Sequence, residues 1–421
     1  MVAAVLAVGL ALSVAAMVQE AIDADGEGDG AGTAAIEPRT GTPPTPRPNE
    51  PVTPPAPRSS ESAGYEPGSD PATLLVSASG GLPDGLEARL AEEPALTATT
   101  VVRGDTLGLV ATARADGAAV DELPEAWRFP VEVLAVEPAS YAEVLAVPEV
   151  ATLGPGEALL SASSAAVRRL EPSAVLRFED GTELVVAGVL PDAQLGAGEV
   201  VVSTASTIAP TEPRYLLATQ RDPSAPVDLA ATARDLDLDA DALVTAHGGE
   251  VPVLRHAPDV MAPARLKRAF GEFAITDGPG RWVQQGATWL RAAYAEREVP
   301  IIGTLECHEA MFEPLTAALE ELVERGLDDL VDPADSTGCW APRVQRGTTL
   351  SSHAWGVALD VNVQGNHQGA EPTMPPEVIE AFTRQGFVWG GTWPVPDGMH
   401  FELVVDRPPG DRWLPDPNDA G

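Results

Sequence analysis

The sequence predicts an α+β protein built of separate modules behind an apolar N-terminal segment. Three observations predict it. Short β-branched runs separated by turn signals fill residues 72–222. Helix-period segments followed by strand-period segments fill residues 270–408. Around them the chain is rich in Pro and Gly, with 41 and 39 in 421 residues, a composition that keeps long stretches from packing. The division that follows is an apolar membrane helix or signal segment at 1–22 and a Pro-rich linker at 23–71. A strand-rich α+β module at 72–222, a connecting segment at 223–269, a C-terminal α+β domain at 270–408 and a tail at 409–421 complete it.

The chain is apolar from Val2 to Val18, with Ser13 the only polar interruption. About 18 helical residues span roughly 27 Å, close to the ~20-residue length of a membrane helix. No Lys or Arg precedes the run, which is longer than a signal-peptide core. It reads as a single uncleaved membrane anchor; a signal peptide cut near Ala15 and Ala16 is the alternative. Either places the rest of the chain outside the cytoplasm. Asp23, Asp25, Glu27 and Asp29 then open a linker whose Pro/Thr/Ser run from Pro38 to Pro57 favours extended chain. Its expected role is reach.

Acidic residues outnumber basic ones 63 to 26, a formal charge of -37. This argues against a nucleic-acid partner, which needs a basic face. Two Cys are too few for a disulfide scaffold.

In the strand-rich module the expected strands are Thr97–Val102, Leu107–Thr112, Phe129–Val136, Val175–Phe178, Glu183–Val189 and Val200–Ser203. Pro83–Glu92 and Ser161–Arg169 are the expected helices. The module contains no His and no Cys, so it lacks common metal ligands and nucleophile–base pairs and reads as a binding or spacer unit. In its strand-rich pattern and position it resembles the extracytoplasmic domains of MacB/FtsX-type membrane proteins. His247 and His256, in the connecting segment, sit among loop residues and receive no ligand role.

In the C-terminal domain Trp282, Val283, Trp289, Leu290 and Ala293 keep helical spacing, and Val299–Leu305 reads as a strand. Met311, Leu315, Ala318, Leu319 and Leu322 form one apolar helix face, stopped by Gly326. Pro376–Gln385 is a further helix capped at Gly386. The chemistry concentrates in two stretches, Ser351-Ser352-His353-Ala354-Trp355-Gly356-Val357-Ala358-Leu359-Asp360-Val361-Asn362 and Asp397-Gly398-Met399-His400-Phe401-Glu402. They hold two imidazoles and a choice of carboxylates, the ligand set of a catalytic zinc site with a position left for water. Val357 to Val363 alternates apolar and small or polar residues, as does Met399 to Val405. Asp360 and His400 therefore project from the non-apolar faces of two strands, with His353 arriving from the loop before the first. Asp397, three residues before His400, is a candidate base for metal-assisted hydrolysis.

At these residues the chain resembles the VanY-type D-alanyl-D-alanine carboxypeptidases and the related phage L-alanyl-D-glutamate endopeptidases, over roughly 270–405. The motifs that carry the resemblance are Ser-x-His-x-x-Gly-x-Ala-x-Asp and Asp-x-Met-His-Phe-Glu. The resemblance implies a compact α+β fold and Zn²⁺ held by His353, Asp360 and His400. Asp397 stands where the family often has a catalytic Glu. Arg343 matches an upstream Arg that steadies the substrate carbonyl, with Arg346 close enough to compete. Ser351, Arg346 and Trp393 are the candidate substrate contacts.

The implied activity is hydrolysis of peptidoglycan stem peptides at a bond involving a D-amino acid. The alternative is an inactive cell-wall-binding or membrane-associated sensor module. Cys307 and Cys339, outside the cytoplasm, read first as a disulfide worth roughly 3–4 kcal/mol of loop entropy; a metal site with His308 is the competing reading. His367 falls on a loop near the motifs.

Overall fold

The computed structural model describes residues 73–78, 82–83, 85–196, 198–222, 242–247, 261–344, 349–393 and 395–404. The expected membrane segment, the linker, His256, Arg346 and the tail lie outside the described residues. Among the described residues no helix is long and apolar enough to cross a membrane. The fold is mixed α+β.

The strand-rich part contains Thr73–Ala78 (β1), Leu96–Ala113 (β2), Ala119–Glu122 (β3), Phe129–Val136 (β4), Glu157–Ser161 (β5), Val175–Phe178 (β6), Glu183–Leu190 (β7), Val200–Ser203 (β8), Pro213–Gln220 (β9) and Ala242–His247 (β10). They form one sheet in the order β10-β1-β9-β2-β4-β8-β5-β7-β6, with β3 on β2. β6 also pairs with β2, which closes β2-β4-β8-β5-β7-β6 into a ring without a free edge. Alternation builds the interior of the ring. Val131, Val133 and Ala135, then Leu184 and Val186, then Val200 and Val202 are all buried in one apolar cluster. The opposite faces carry Leu134, Val136, Leu159 and Val201, which pack with Tyr141 and Val144 of a covering helix.

Helices here are Leu86–Glu92 (α1), Pro138–Leu145 (α2) and Ala162–Arg168 (α3). Ser161 caps α3 by accepting from the Ser164 N–H. The two strands expected over Thr97–Val102 and Leu107–Thr112 are one strand of 18 residues. Gly104 is not a break. A Cβ there would lie 2.8 Å from the Arg214 side chain and 2.9 Å from that of Leu134, so glycine lets neighbouring strands crowd the middle of β2. The connecting segment also contributes, since β10 pairs with β1 from Thr73–His247 to Ala78–Ala242.

The second part begins with Pro263–Phe270 (α4) and the hairpin Ile275–Asp277 (β11) and Val283–Gln285 (β12). Trp282 and Val283 therefore belong to a hairpin, and only Ala287–Ala293 (α5) is helical. Tyr294–Val299 (β13) pairs with Gly303–His308 (β14), so the strand expected over Val299–Leu305 contains the turn of a hairpin. Pro300 has no N–H for a ladder, and Ile301 takes a positive φ of 64°. Phe312–Glu324 (α6) and Pro376–Arg384 (α7) match their expected apolar faces, with Gly326 and Gly386 at positive φ behind them. Ala358–Asp360 (β15), Phe387–Trp389 (β16) and His400–Leu403 (β17) form a sheet in the order β15-β17-β16. One core joins these elements, including Leu315, Leu319, Leu322, Leu359, Phe382 and Phe401. Cys307 and Cys339 are joined by a disulfide, with Cα atoms 5.0 Å apart.

Buried charges join the two parts. Lys267 of α4 donates to both carboxylate oxygens of Glu199 at 2.9 Å and to the Pro130 carbonyl. Arg168 of α3 bonds Glu199 at 2.9 Å and also Glu272. Glu199 accepts a further 2.9 Å bond from the Glu132 N–H. Burial would raise the Glu199 carboxyl, but Lys267 and Arg168 outweigh it and hold the group below its ordinary range. Arg128 and Ile275 exchange two backbone bonds beside this network, at 2.9 and 2.7 Å.

His308 is a packing residue. Its Nε2–H donates to the Phe270 carbonyl at 3.2 Å and its Nδ1 accepts from the Ala310 N–H at 3.1 Å. The ring is therefore neutral, and burial lowers its pKa to about 4.

Glu199→Ala leaves the buried cations Lys267 and Arg168 to share the single carboxylate of Glu272 and should cost about 3–5 kcal/mol in urea denaturation. His308 bears on pH. The unfolded ring takes its proton near pH 6.5 and the folded ring near 4, so the unfolded chain binds more protons between those values. Stability contributed by neutral His308 should be fully present above pH 6.5 and fall by about 3 kcal/mol as pH drops through 4. His308→Gln should flatten that part of the wild-type profile, measured with chelator present.

Candidate metal centre

The site is assembled from a turn, two short strands and a loop. Ser351 starts the turn, its Oγ accepting from the His353 N–H at 3.4 Å, and Ser352–Trp355 forms a 3-10 helix rather than an irregular loop. Gly356 ends it at φ 65°. A Cβ on Gly356 would lie 2.7 Å from the His308 nitrogen and 3.3 Å from the Cys307 carbonyl carbon, so glycine is needed for the turn to rest on β14. Trp355 anchors the turn from beneath, with its Nε1–H donating to the Gly271 carbonyl at 2.9 Å. Gln285 Nε2 donates to the Ala354 carbonyl at 2.6 Å.

The strands do what their period requires. Val357, Leu359 and Val361 are buried in the core, leaving Asp360 on the other face. β15 pairs antiparallel with β17 so that Asp360 lies directly opposite His400. The strand expected to reach Val363 stops at Asp360. Asn362 takes a positive φ of 51° and bonds the Leu330 carbonyl and the Asp332 N–H, both at 2.8 Å.

Three atoms converge here. His353 Nε2 lies 3.3 Å from His400 Nδ1 and 3.3 Å from Asp360 Oδ1, and His400 Nδ1 lies 3.2 Å from Asp360 Oδ1. All three residues are buried. A tetrahedral ion with bonds of about 2.0–2.1 Å separates its ligand atoms by about 3.3–3.4 Å. The triad fits such an ion with three protein ligands and a fourth position left over.

Each ligand is held from behind. His353 Nδ1–H donates to the Cys339 carbonyl at 3.2 Å. Asp360 Oδ2 accepts from the Thr337 hydroxyl at 3.4 Å. His400 Nε2 faces Glu402 Oε2 at 3.3 Å. Burial opposes charge on His400, but Asp360 and Glu402 outweigh it and raise the pKa to about 10. Asp360 is held well below the usual carboxylate range, its burial outweighed chiefly by His353 and then by His400.

Asp397 is buried beside the triad, and its Oδ1 has no hydrogen-bond partner among the described residues. Its backbone carbonyl accepts from the His400 N–H at 3.2 Å, and its N–H donates to the Gly390 carbonyl at 2.9 Å. A Cβ on Gly390 would lie 2.7 Å from the Asp397 oxygen and 3.3 Å from the His400 Cβ, so Gly390 makes room for both. Burial raises the Asp397 carboxyl, reinforced by Asp360 and opposed by His400, His353 and Arg343.

Arg343 is thus close enough for its charge to act on Asp397. It forms a bridge with Trp282, and its carbonyl accepts from the Ser351 N–H at 3.2 Å. Ser351 is buried beneath His353, where its hydroxyl serves the turn. Trp393 packs against His400, with ring centroids 5.2 Å apart. His367 is exposed. Glu402 and the Cys339 carbonyl were not singled out as functional by the sequence. For Glu402 the signal was present, because two residues on from His400 is the same strand face.

Residues 345–403 match the family model described as D-alanyl-D-alanine carboxypeptidase. Among solved structures, the periplasmic region of MacB from Actinobacillus actinomycetemcomitans aligns at 11% identity. It covers 41% of this chain and 87% of its own, with a TM-score of 0.27. The extracellular domain of the noncanonic ABC-type transporter YknZ from Gram-positive bacteria aligns at 8% identity over 41% of this chain and 99% of its own, also with a TM-score of 0.27. A search of curated proteins finds no match. The segment with His353, Asp360, Asp397 and His400 is thus similar to the D-alanyl-D-alanine carboxypeptidase peptidases.

Proposed function

We propose that this chain is a zinc peptidase that hydrolyses peptidoglycan stem peptides at a bond involving a D-amino acid. One observation carries the reading. Three ligand atoms meet at tetrahedral spacing beside a buried carboxylate with an unpartnered oxygen, inside the segment similar to D-alanyl-D-alanine carboxypeptidases. His353, Asp360 and His400 would hold the zinc. The ion, when bound, polarises the scissile carbonyl and acidifies water.

The protein's own groups do the rest. Asp397 Oδ1 takes the proton of the attacking water and passes it to the leaving amine. Arg343 supplies positive charge to the developing oxyanion, a role for which Arg346 is the neighbouring alternative. Trp393 forms a wall of the substrate groove against His400. The Cys307–Cys339 disulfide supports a location outside the cytoplasm. There, residues 1–22 would anchor the chain in the membrane and 23–71 would give it reach.

Asp397 provides the decisive test. Asp397→Ala should keep its zinc and fold but lose about 10²–10⁴-fold in turnover of purified muropeptides, followed by mass spectrometry. Asp397→Glu should keep part of the activity. Wild-type turnover in Asp397→Asn would remove Asp397 from the mechanism, and a zinc-loaded wild type with no turnover would favour a wall-binding or sensor module.

Zinc loading should depend on pH with a fixed sign. His400 holds a proton up to a pKa of about 10, and zinc needs the neutral ring. Apparent zinc affinity should therefore rise by roughly tenfold per pH unit between 6 and 9, with about one proton released per ion. Calorimetry in buffers of different ionisation enthalpy measures both.

A further inference from the structure

Glu402 is a buried carboxylate that the proposed reaction does not use. Strand alternation in β17 places it on the same face as His400, while Phe401 and Leu403 enter the core. Its neighbours in register are Ala358 on β15 and Val388 on β16, and neither side chain offers a hydrogen-bond donor. A carboxylate in such a place is costly unless a donor reaches it. Among the described residues that donor is His400 Nε2, 3.3 Å from Glu402 Oε2. A carboxylate oxygen accepts, so Nε2 carries a hydrogen, and in the neutral ring that a metal ion needs the lone pair sits on Nδ1. Nδ1 is the atom within 3.2–3.3 Å of Asp360 Oδ1 and His353 Nε2.

The two ligand histidines thus present opposite nitrogens. His353 turns Nε2 inward because its Nδ1–H is taken by the Cys339 carbonyl. His400 turns Nδ1 inward because Glu402 takes its Nε2–H. Glu402 bonds the nitrogen that faces away from the triad, so it is an orienting partner and not a fourth ligand.

We propose that Glu402 is the positioning residue of the metal centre. It selects Nδ1 of His400 as the ligand atom, fixes the plane of the ring and makes it a stronger donor to the ion. This rests on the zinc reading above and adds to it a determinant of metal affinity. The full chain, stripped with chelator, is titrated with zinc against a chromophoric competitor, and melting of the stripped protein is recorded alongside. Glu402→Ala should bind zinc about 10–100-fold more weakly. Glu402→Gln, which keeps an acceptor oxygen, should recover most of that loss. Long-range ¹H–¹⁵N spectra of the zinc-loaded wild type should show His400 protonated at Nε2.

Unchanged zinc affinity in Glu402→Ala, with only its melting temperature lowered, would reduce Glu402 to a packing role. A His400 protonated at Nδ1 in the loaded wild type would overturn the proposal even if the variants fail to fold. A wild type that takes up no zinc would instead defeat the metal reading itself.

Discussion

The site depends on one backbone pairing, Asp360 opposite His400 across β15 and β17. The ladder is only three residue pairs long, too short to hold its register by hydrogen bonds alone. Register comes from the apolar faces. Leu359 and Phe401 are also register partners, both fully buried, and a slip of one residue would send Asp360 and His400 into the core and Leu359 and Phe401 out of it. The placement of two ligands is thus a consequence of where two hydrophobic side chains must go.

The third ligand is fixed by different means. His353 lies on a four-residue turn with no ladder of its own. It is pinned at Gly356 against β14, through Trp355 to the Gly271 carbonyl, and through its own ring to the Cys339 carbonyl. Cys339 is tied by the disulfide to Cys307 on that same β14, so one covalent link holds both the floor of the turn and the acceptor that orients the ring. Gly271 follows α4, whose Lys267 is locked to Glu199 of the strand-rich part, and Glu272 meets Arg168. Phe273 packs against Trp355 at a tilt of 49°, with centroids 4.8 Å apart. Packed groups therefore run without a gap from the strand-rich part to the turn that carries His353.

The sequence carried much of this and lost the rest for identifiable reasons. Period-two alternation placed Asp360 and His400 on polar faces, and period-3.6 spacing placed α6 and α7, because burial acts directly on side-chain pattern. Gly326 as a stop was equally local. The two strands expected over Thr97–Val102 and Leu107–Thr112 are one, because Gly104 between them lets the distant Arg214 and Leu134 approach, which no local signal encodes. Pro300 and Ile301 were submerged in an apolar run, although the proline alone argued against a continuous strand. The ring of strands is set by the long-range pairing of β6 with β2. The Cys339 carbonyl was invisible in principle, since any residue supplies one.

Charge explains why these buried groups belong together. Asp360, Asp397 and Glu402 are three carboxylates within one buried site, and among the described residues His400 and Arg343 bring positive charge to it. A doubly protonated His400 ring offsets one negative charge, its Nδ1–H facing Asp360 and its Nε2–H facing Glu402. A dication offsets two. Holding one at Nδ1 would need the His400 ring without its Nδ1 proton, with the Nε2–H left facing Glu402. Asp360 would serve as a ligand, and Asp397, which burial pushes towards the neutral form, would gain a nearby positive charge that favours ionisation. On the proposed reading, an ion held by the triad would favour the base form of Asp397, so the reactivity of that group would follow occupancy of the triad.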